Sequence, residues 1–385
     1  MGLKPSADRN RAIFAEVSDA PRAPLAPGAI DRAHFTARPA IRAWLLTLVV
    51  LVVVLITVGG LTRLTDSGLS ITEWEPISGT IPPLSAGAWA AEFDAYRQIP
   101  QYDLINRDMT LSEFKSIYWW EWAHRMLGRV VGLVWAAGFA WFWLRRQIPT
   151  GWSWPMLGLG ALIGVQGAVG WWMVHSGLQT GMISVASYRL ATHLGIAFVI
   201  VGLAWTWSLH FARREADLLQ ARRAAERPLR RIATWLLGLT MLQVVLGALV
   251  AGIDAGRAFP TWPLMAGGVF PPDPFGLTPL WRNFFEDAGL VQFMHRTTGY
   301  IVFAVAIAAF LRARRSPNGR TRAAWHGVVG LMTLQIAIGI GAVLMQAPLW
   351  VAILHQFTAI LLWLALLRAR FLARYPAVQS VRGAT

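Results

Sequence analysis

Residues 42–62 read RAWLLTLVVLVVVLITVGGLT, an apolar run with no charge after Arg42. A helix rises about 1.5 Å per residue, so this run is long enough to cross the roughly 30 Å hydrocarbon core of a bilayer. It lacks the alternation of a half-buried strand. Seven further runs of the same kind follow, near 118–143, 154–177, 187–210, 232–253, 289–311, 323–346 and 350–369. The reading is therefore an all-α integral membrane protein of eight transmembrane helices. The second run is the least apolar, because Glu121, His124, Arg125 and Arg129 lie in its first third.

Composition agrees with the spans. Of 385 residues, 55% are hydrophobic and 14% charged, where a soluble chain carries about a quarter charged residues. The 21 tryptophans suit a chain with many membrane–water interfaces, where indole rings collect. The net charge of +15 sits in short connections and comes with no aromatic-basic groove, so the reading is of no nucleic-acid partner. Cysteine is absent, which excludes disulfides, thiolate metal sites, cysteine-ligated iron–sulfur clusters and thiol catalysis. Histidine, carboxylate and hydroxyl chemistry remain. The start of the chain is polar, with Arg9, Arg11, Arg22, Arg32 and Arg38 against Asp8, Glu16, Asp19 and Asp31, and it has no apolar stretch of the kind a cleaved secretory signal needs.

The connections alternate in charge. Arg145 and Arg146 follow span 2. Arg213, Arg214, Arg222, Arg223, Arg227, Arg230 and Arg231 follow span 4. Arg312, Arg314, Arg315, Arg320 and Arg322 follow span 6, and Arg368, Arg370 and Arg374 close the chain. Two long loops of mixed charge, 63–117 and 254–288, lie on the other face. The positive-inside rule places both termini in the cytoplasm and the long loops outside, in the inner membrane of a bacterium.

The chain repeats itself. Asp66-Ser67-Gly68, Trp74, Gly79 and Pro82-Pro83 after span 1 return as Asp254-Ala255-Gly256, Trp262, Gly267 and Pro271-Pro272 after span 5, offset by 188 for the Asp, Gly and Trp positions. His124-Arg125 and Gly128 in span 2 return as His295-Arg296 and Gly299 in span 6, offset by 171. Gln166 and Gly170 of span 3 match Gln335 and Gly339 of span 7, and His193 of span 4 matches His355 of span 8. Spans 1–4 thus repeat as spans 5–8 in parallel, predicting two four-helix bundles about a pseudo-twofold axis along the membrane normal. The chain divides into a polar cytoplasmic segment 1–41, a first half 42–211, a basic linker 212–231, a second half 232–370 and a tail 371–385. The second long loop is the shorter one. The extra residues of the first, around 84–117, are open to three readings: a cap, a partner site or a plain spacer.

Four of the eight histidines, His124, His193, His295 and His355, sit near the outer ends of even-numbered spans. Histidine inside a bilayer is costly unless paired or ligated. Two facing histidines in a helical bundle are a common way to hold a planar macrocycle by its iron, so the pattern predicts two heme sites. Gly128, Gly170, Gly299 and Gly339 would let a flat ring approach the backbone, or serve helix packing. Arg125 and Arg296, with Arg63 and Arg129, are candidates to pair heme propionates through the planar guanidinium fork. His210 and His326 read as interfacial, His175 as a neighbour of the first site without a repeat partner, and His34 as part of the polar leader.

The halves differ at one chemically important position. Glu121 lies three residues before His124, whereas Gln292 lies three before His295. Residues three apart share a helix face, so Glu121 is expected to look toward whatever His124 holds, or to pair with Arg125 or Arg129. The difference predicts a redox cofactor in the second half and chemistry in the first. A di-iron carboxylate site would need a second Glu-x-x-His motif, which Gln292 breaks.

The stretch Gly59-Gly60-Leu61-Thr62-Arg63-Leu64-Thr65 with Ser67-Gly68-Leu69-Ser70, then Trp74, Pro76, Gly79, Glu113-Phe114-Lys115, Glu121-Trp122-Ala123-His124-Arg125 and Gly128-Arg129, with His193, His295-Arg296 and His355, resembles the heme A synthase family from about residue 42 to 370. The lack of cysteine is similar to the alphaproteobacterial and mitochondrial members. The resemblance implies an oxidoreductase that converts the C8 methyl of heme O to the formyl of heme A through two hydroxylations and loss of water from a gem-diol. It implies a heme b cofactor between His295 and His355 with Arg296 beside it, substrate heme near His124 and His193, and Glu121 as a functional carboxylate. Implied partners are heme O, a heme O synthase, an electron donor and the lipid bilayer, with homo-oligomerisation allowed. The four histidines also fit a di-heme membrane cytochrome b that carries electrons, or a heme transporter, but the first of these leaves the Glu121/Gln292 difference without a role.

Overall fold

The computed structural model describes residues 29–75 and 77–377, with side chains from Ala37 onward. Most of the segment 1–41, including Arg9, Arg11 and Arg22, lies outside the described residues, as do Pro76 and the end of the tail; the side chain of His34 is likewise not described. Among the described residues, eight helices are long and apolar enough to cross a membrane. They are Ala29–Leu64, Leu111–Leu144, Ser153–Gly177, Ser187–Phe211, Arg227–Gly252, Ala288–Ala313, Gly319–Leu344 and Leu349–Arg374, here spans 1 to 8. The protein is an all-helical, multi-pass membrane protein.

Two helices begin before their apolar runs. Span 1 starts at Ala29, well inside the segment expected to be a separate polar leader. Span 2 starts at Leu111 because Thr110 and Glu113 form a reciprocal capping box: Thr110 Oγ1 accepts from the Glu113 amide, and Glu113 Oε2 accepts from the Thr110 amide at 2.8 Å. Asp287 caps span 6 through Leu290 N at 2.7 Å. Spans 1 and 5 end alike, with Asp66 and Asp254 in the left-handed region at φ 51° and 52°, a conformation short polar side chains tolerate.

Spans 1, 4, 5 and 8 occupy the middle and the other four flank them. Span 1 packs on spans 2 and 4, and span 5 on spans 6 and 8; span 4 packs on spans 3 and 5, and span 8 on spans 7 and 1. Each neighbour relation therefore recurs four spans later. One apolar cluster gathers Ile41, Leu45, Leu48, Val131, Met156, Phe198 and Val201 but also takes Ile360 and Trp363 from span 8. A second gathers Leu229, Leu236, Val302, Trp325, Val328 and Leu366. Spans 4 and 8 are laced together by Trp363 Nε1 to Phe198 O at 3.0 Å and Trp205 Nε1 to Leu364 O at 2.9 Å. In lipid every backbone group must be satisfied within its own helix, so such packing and side-chain hydrogen bonds carry the association between helices. Outward-facing Val50, Val54, Leu133 and Leu361 are exposed because their solvent is hydrocarbon.

The extra residues of the first long loop are not a spacer. They fold into helices Ala86–Tyr96 and Pro100–Ile105, whose Trp89, Phe93 and Tyr96 bury against Leu69, Phe114 and Tyr118. Tyr96 is held by Gln101 and Asn106. Trp122 and Val174 of spans 2 and 3 pack beneath them, so the loop caps the first half at the long-loop end. Aromatic residues spread through a polar loop gave this core no periodic signature in the sequence.

Candidate functional site

His124 and His193 come from spans 2 and 4 and face each other, with ring centroids 6.4 Å apart. A metal–imidazole bond is about 2 Å long, so two imidazoles on opposite sides of one metal hold their centroids about 6 Å apart. The pair is thus spaced for a single iron between them. His295 and His355, from spans 6 and 8, form the matching pair and lie within electrostatic reach of each other. Among the described residues no cluster of three or more His, Cys, Asp or Glu could hold a bare metal ion. Two imidazoles suffice where a macrocycle brings its own four donors.

Each of the four rings leans on a glycine. A methyl group added at Gly59 would lie 2.9 Å from His124 Nε2, and one at Gly170 would lie 3.0 Å from His193. The second half repeats this, with Gly247 at 3.0 Å from His295 and Gly339 at 2.9 Å from His355. Gly170 and Gly339 were expected to admit a flat macrocycle or to serve helix packing; what lies against them is the ring of His193 and of His355. Gly128 faces open space and Gly299 touches Gln243 instead. Gly59 and Gly247 were missed in this role; their common offset of 188 is the signal that pairs them.

Glu121 is buried, and its carboxylate is fully occupied. Oε1 accepts from Arg125 Nε at 3.1 Å and Nη2 at 2.7 Å; Oε2 accepts from Ser70 Oγ at 2.8 Å and the Ile71 amide at 2.9 Å. A carboxylate has about four acceptor sites, and this set fills them. Glu121 therefore pairs with Arg125 and faces the loop after span 1, where the shared helix face had suggested an outlook toward the His124 ligand. Gln292 takes the equivalent place with a single bond, Nε2 to Ala255 O at 2.8 Å.

The arginines separate as well. Arg125 also donates to Glu73 O at 2.9 Å and Ile71 O at 2.6 Å, so it is committed to the protein. Arg63 binds Asp66 at 3.0 Å and Asp254 at 2.9 Å, tying together the ends of spans 1 and 5. Arg129 Nη2 donates to Glu75 O. Arg296 donates only to Phe259 O at 2.9 Å, and its Nε and Nη1 are buried with no partner. Buried donors left unpaired cost about 1–3 kcal/mol each, so Arg296 fits an anionic group that completes its bonding. It has two such donors; Arg63 Nε is buried without a partner as well, although the Arg63 guanidinium is paired with Asp66 and Asp254.

His175, His210 and His326 have other partners. His210 Nδ1 lies 2.8 Å from Thr206 O, and His326 Nδ1 lies 2.8 Å from Arg322 O, both at span ends as expected. His175 stacks on Trp171 and meets Gln179 at 3.3 Å.

Fold and site together define the class: a polytopic α-helical membrane protein with two intramembrane histidine pairs. A family model described as cytochrome oxidase assembly protein matches residues 42–367. Proteins named heme A synthase from Ruegeria pomeroyi, Dinoroseobacter shibae and Paracoccus denitrificans are 58%, 57% and 55% identical to it. The matches cover 97%, 98% and 97% of this chain and 99%, 99% and 98% of theirs. The chain belongs to the heme A synthase family, as its motifs had suggested.

Proposed function

We propose that the protein is a heme A synthase, an oxidoreductase that converts the C8 methyl of heme O into the formyl group of heme A. Two successive hydroxylations each replace one C–H hydrogen by hydroxyl, a two-electron oxidation apiece. The first gives the alcohol, and the second gives a gem-diol that loses water. The observation that carries this reading is the His124–His193 pair at 6.4 Å, one helical turn from a buried carboxylate that the second half replaces with glutamine. The relatives' name, heme A synthase, supports the product.

The first half is the substrate site. His124 and His193 bind the iron of heme O and fix the macrocycle relative to span 2. Glu121, bound by Arg125, Ser70 and Ile71, fixes the helix that carries His124 against the loop after span 1. Its role is to hold His124 in place for the substrate, through span 2. The cap 86–105 closes the long-loop end and keeps water from that side.

The second half holds heme b between His295 and His355. The residues fit the group: two imidazoles, glycines 247 and 339 behind them, and the buried unpaired donors of Arg296 for a propionate. When bound, heme b supplies one-electron redox chemistry. The recurring neighbour relations support the reading of two parallel four-span halves about an axis along the membrane normal. Arginine-rich connections support a bacterial inner-membrane location with both termini cytoplasmic and the cap outside. A heme O synthase upstream, an oxidant such as dioxygen for each hydroxylation and a separate electron donor that reduces its second oxygen atom to water complete the scheme.

The test is conversion in cells that make heme O. The unaltered chain should yield heme A, while His124→Ala and His193→Ala should yield none and still bind heme b. Heme A at normal levels from both variants would remove the first half from the reaction.

A further inference from the structure

The histidines of the second half are latched by glutamine amides, and those of the first half are not. Gln243 on span 5 places Nε2 at 3.1 Å from His295 Nδ1, 3.3 Å from Nε2 and 3.0 Å from the His295 carbonyl. Gln335 on span 7 does the same for His355, at 3.3, 3.2 and 3.0 Å. The Oε1 atoms of Gln243 and Gln335 are buried and have no partner. Each amide therefore sits against its ring with an acceptor to spare.

In the first half the repeat position of Gln243 is Leu55, which has no polar group to offer. Gln166, the counterpart of Gln335, reaches the His193 carbonyl at 3.0 Å, while His193 Nδ1 is buried with no partner. Among the described residues no side chain hydrogen-bonds the ring of either His124 or His193. The two pairs thus share glycine backing and differ in what holds the rings.

We infer that Gln243 and Gln335 are positioning residues that fix the ring orientation of the two heme b ligands, so that the second half retains its heme while the unlatched first half exchanges heme substrate and product. The groups packed around a ligating imidazole orient it. In each latch the amide Nε2, anchored on the histidine's own carbonyl, lies against the ring and limits its rotation. A cofactor that stays for the life of the protein benefits from both rings being held. A substrate that must leave after oxidation does not, and Leu55 is the residue that withholds the latch. This inference rests on the proposed heme b site.

The full-length protein, purified from cells without a heme O source, provides the test. Release of heme to a scavenging globin and the reduction potential are read for Gln243→Leu, Gln335→Leu and Gln335→Glu, with His295→Ala and His355→Ala as controls. Leucine already occupies the site in span 1 that corresponds to Gln243, so Gln243→Leu keeps an accepted shape. The leucine variants should release heme about 10–100-fold faster and shift the reduction potential, because the rings are no longer held in one orientation. Gln335→Glu removes the donor that anchors the side chain on the His355 carbonyl, so it should release heme as Gln335→Leu does. Unchanged release and potential in both leucine variants, with heme lost in the histidine controls, would overturn the latch alone. Heme retained in the histidine controls would overturn the site it rests on.

Discussion

Arg125 and Glu121 form an ion pair inside span 2, Nη2 to Oε1 2.7 Å, with side chains 13% and 3% exposed. Both partners are also bound to the loop after span 1, through Ser70, Ile71 and Glu73. The carboxylate that distinguishes the two halves is therefore part of a bonded junction between the loop after span 1 and the helix that carries His124.

Glu121→Gln makes the first half like the second at this position. Glutamine can still accept from Ser70 and Ile71, but it leaves Arg125 as a buried charge without its counterion. Breaking a buried pair this way costs about 3–5 kcal/mol. The variant should melt lower than the parent, retain heme b and make no heme A. Heme A yield and a thermal melt on the same preparation check this; normal yield would take Glu121 out of the chemistry.

Gly59→Ala places a methyl 2.9 Å from His124 Nε2, and Gly339→Ala places one equally close to His355. Each must push its ring away. A displacement near 1 Å at a reacting centre costs about 100-fold in rate. Gly59→Ala should lower heme A formation to that degree with heme b unaffected. Gly339→Ala should do the reverse and lose heme b first. Quantifying bound heme b and heme A side by side separates the two, and identical profiles for both variants would contradict separate sites.

The cap should respond to pH through Glu92. Burial, then the nearby Glu73 and Glu75, raise its pKa above the ordinary carboxylate value. Because the folded value is the higher one, the folded cap binds more protons. Its stability then falls as pH rises from the ordinary carboxylate range through the raised value, and the penalty is complete above it. Proteolysis of the 63–117 loop should be slowest at mildly acid pH, and Glu92→Gln should flatten the dependence. A variant with the parent's pH profile would show that other groups govern the cap.

Much of this was readable in the residues. Eight apolar runs mark eight helices because hydrocarbon demands continuous apolar length, and no tertiary contact is needed to see it. The four histidines stood out because their positions repeat and their cost in a bilayer is high. The aim of Glu121 was not readable. Helical spacing gives the face a side chain leaves from, but the loop that returns Ser70 and Ile71 to meet it is set by tertiary folding. Gln243 escaped notice because its span 1 counterpart is Leu55, and a search for what repeats passes over what differs. The folded cap was hidden for another reason: its core is a handful of aromatic residues, Trp89, Phe93, Tyr96 and Tyr118, scattered in polar sequence.

The central claim is one resident heme and one exchanging heme per chain. Extraction and chromatography of the hemes bound to the purified protein, expressed with a heme O source, tests it most directly. The account predicts heme b together with heme O, its alcohol or heme A. Heme b alone at two per chain, unchanged after reduction and exposure to oxygen, would contradict it and point to a di-heme electron carrier.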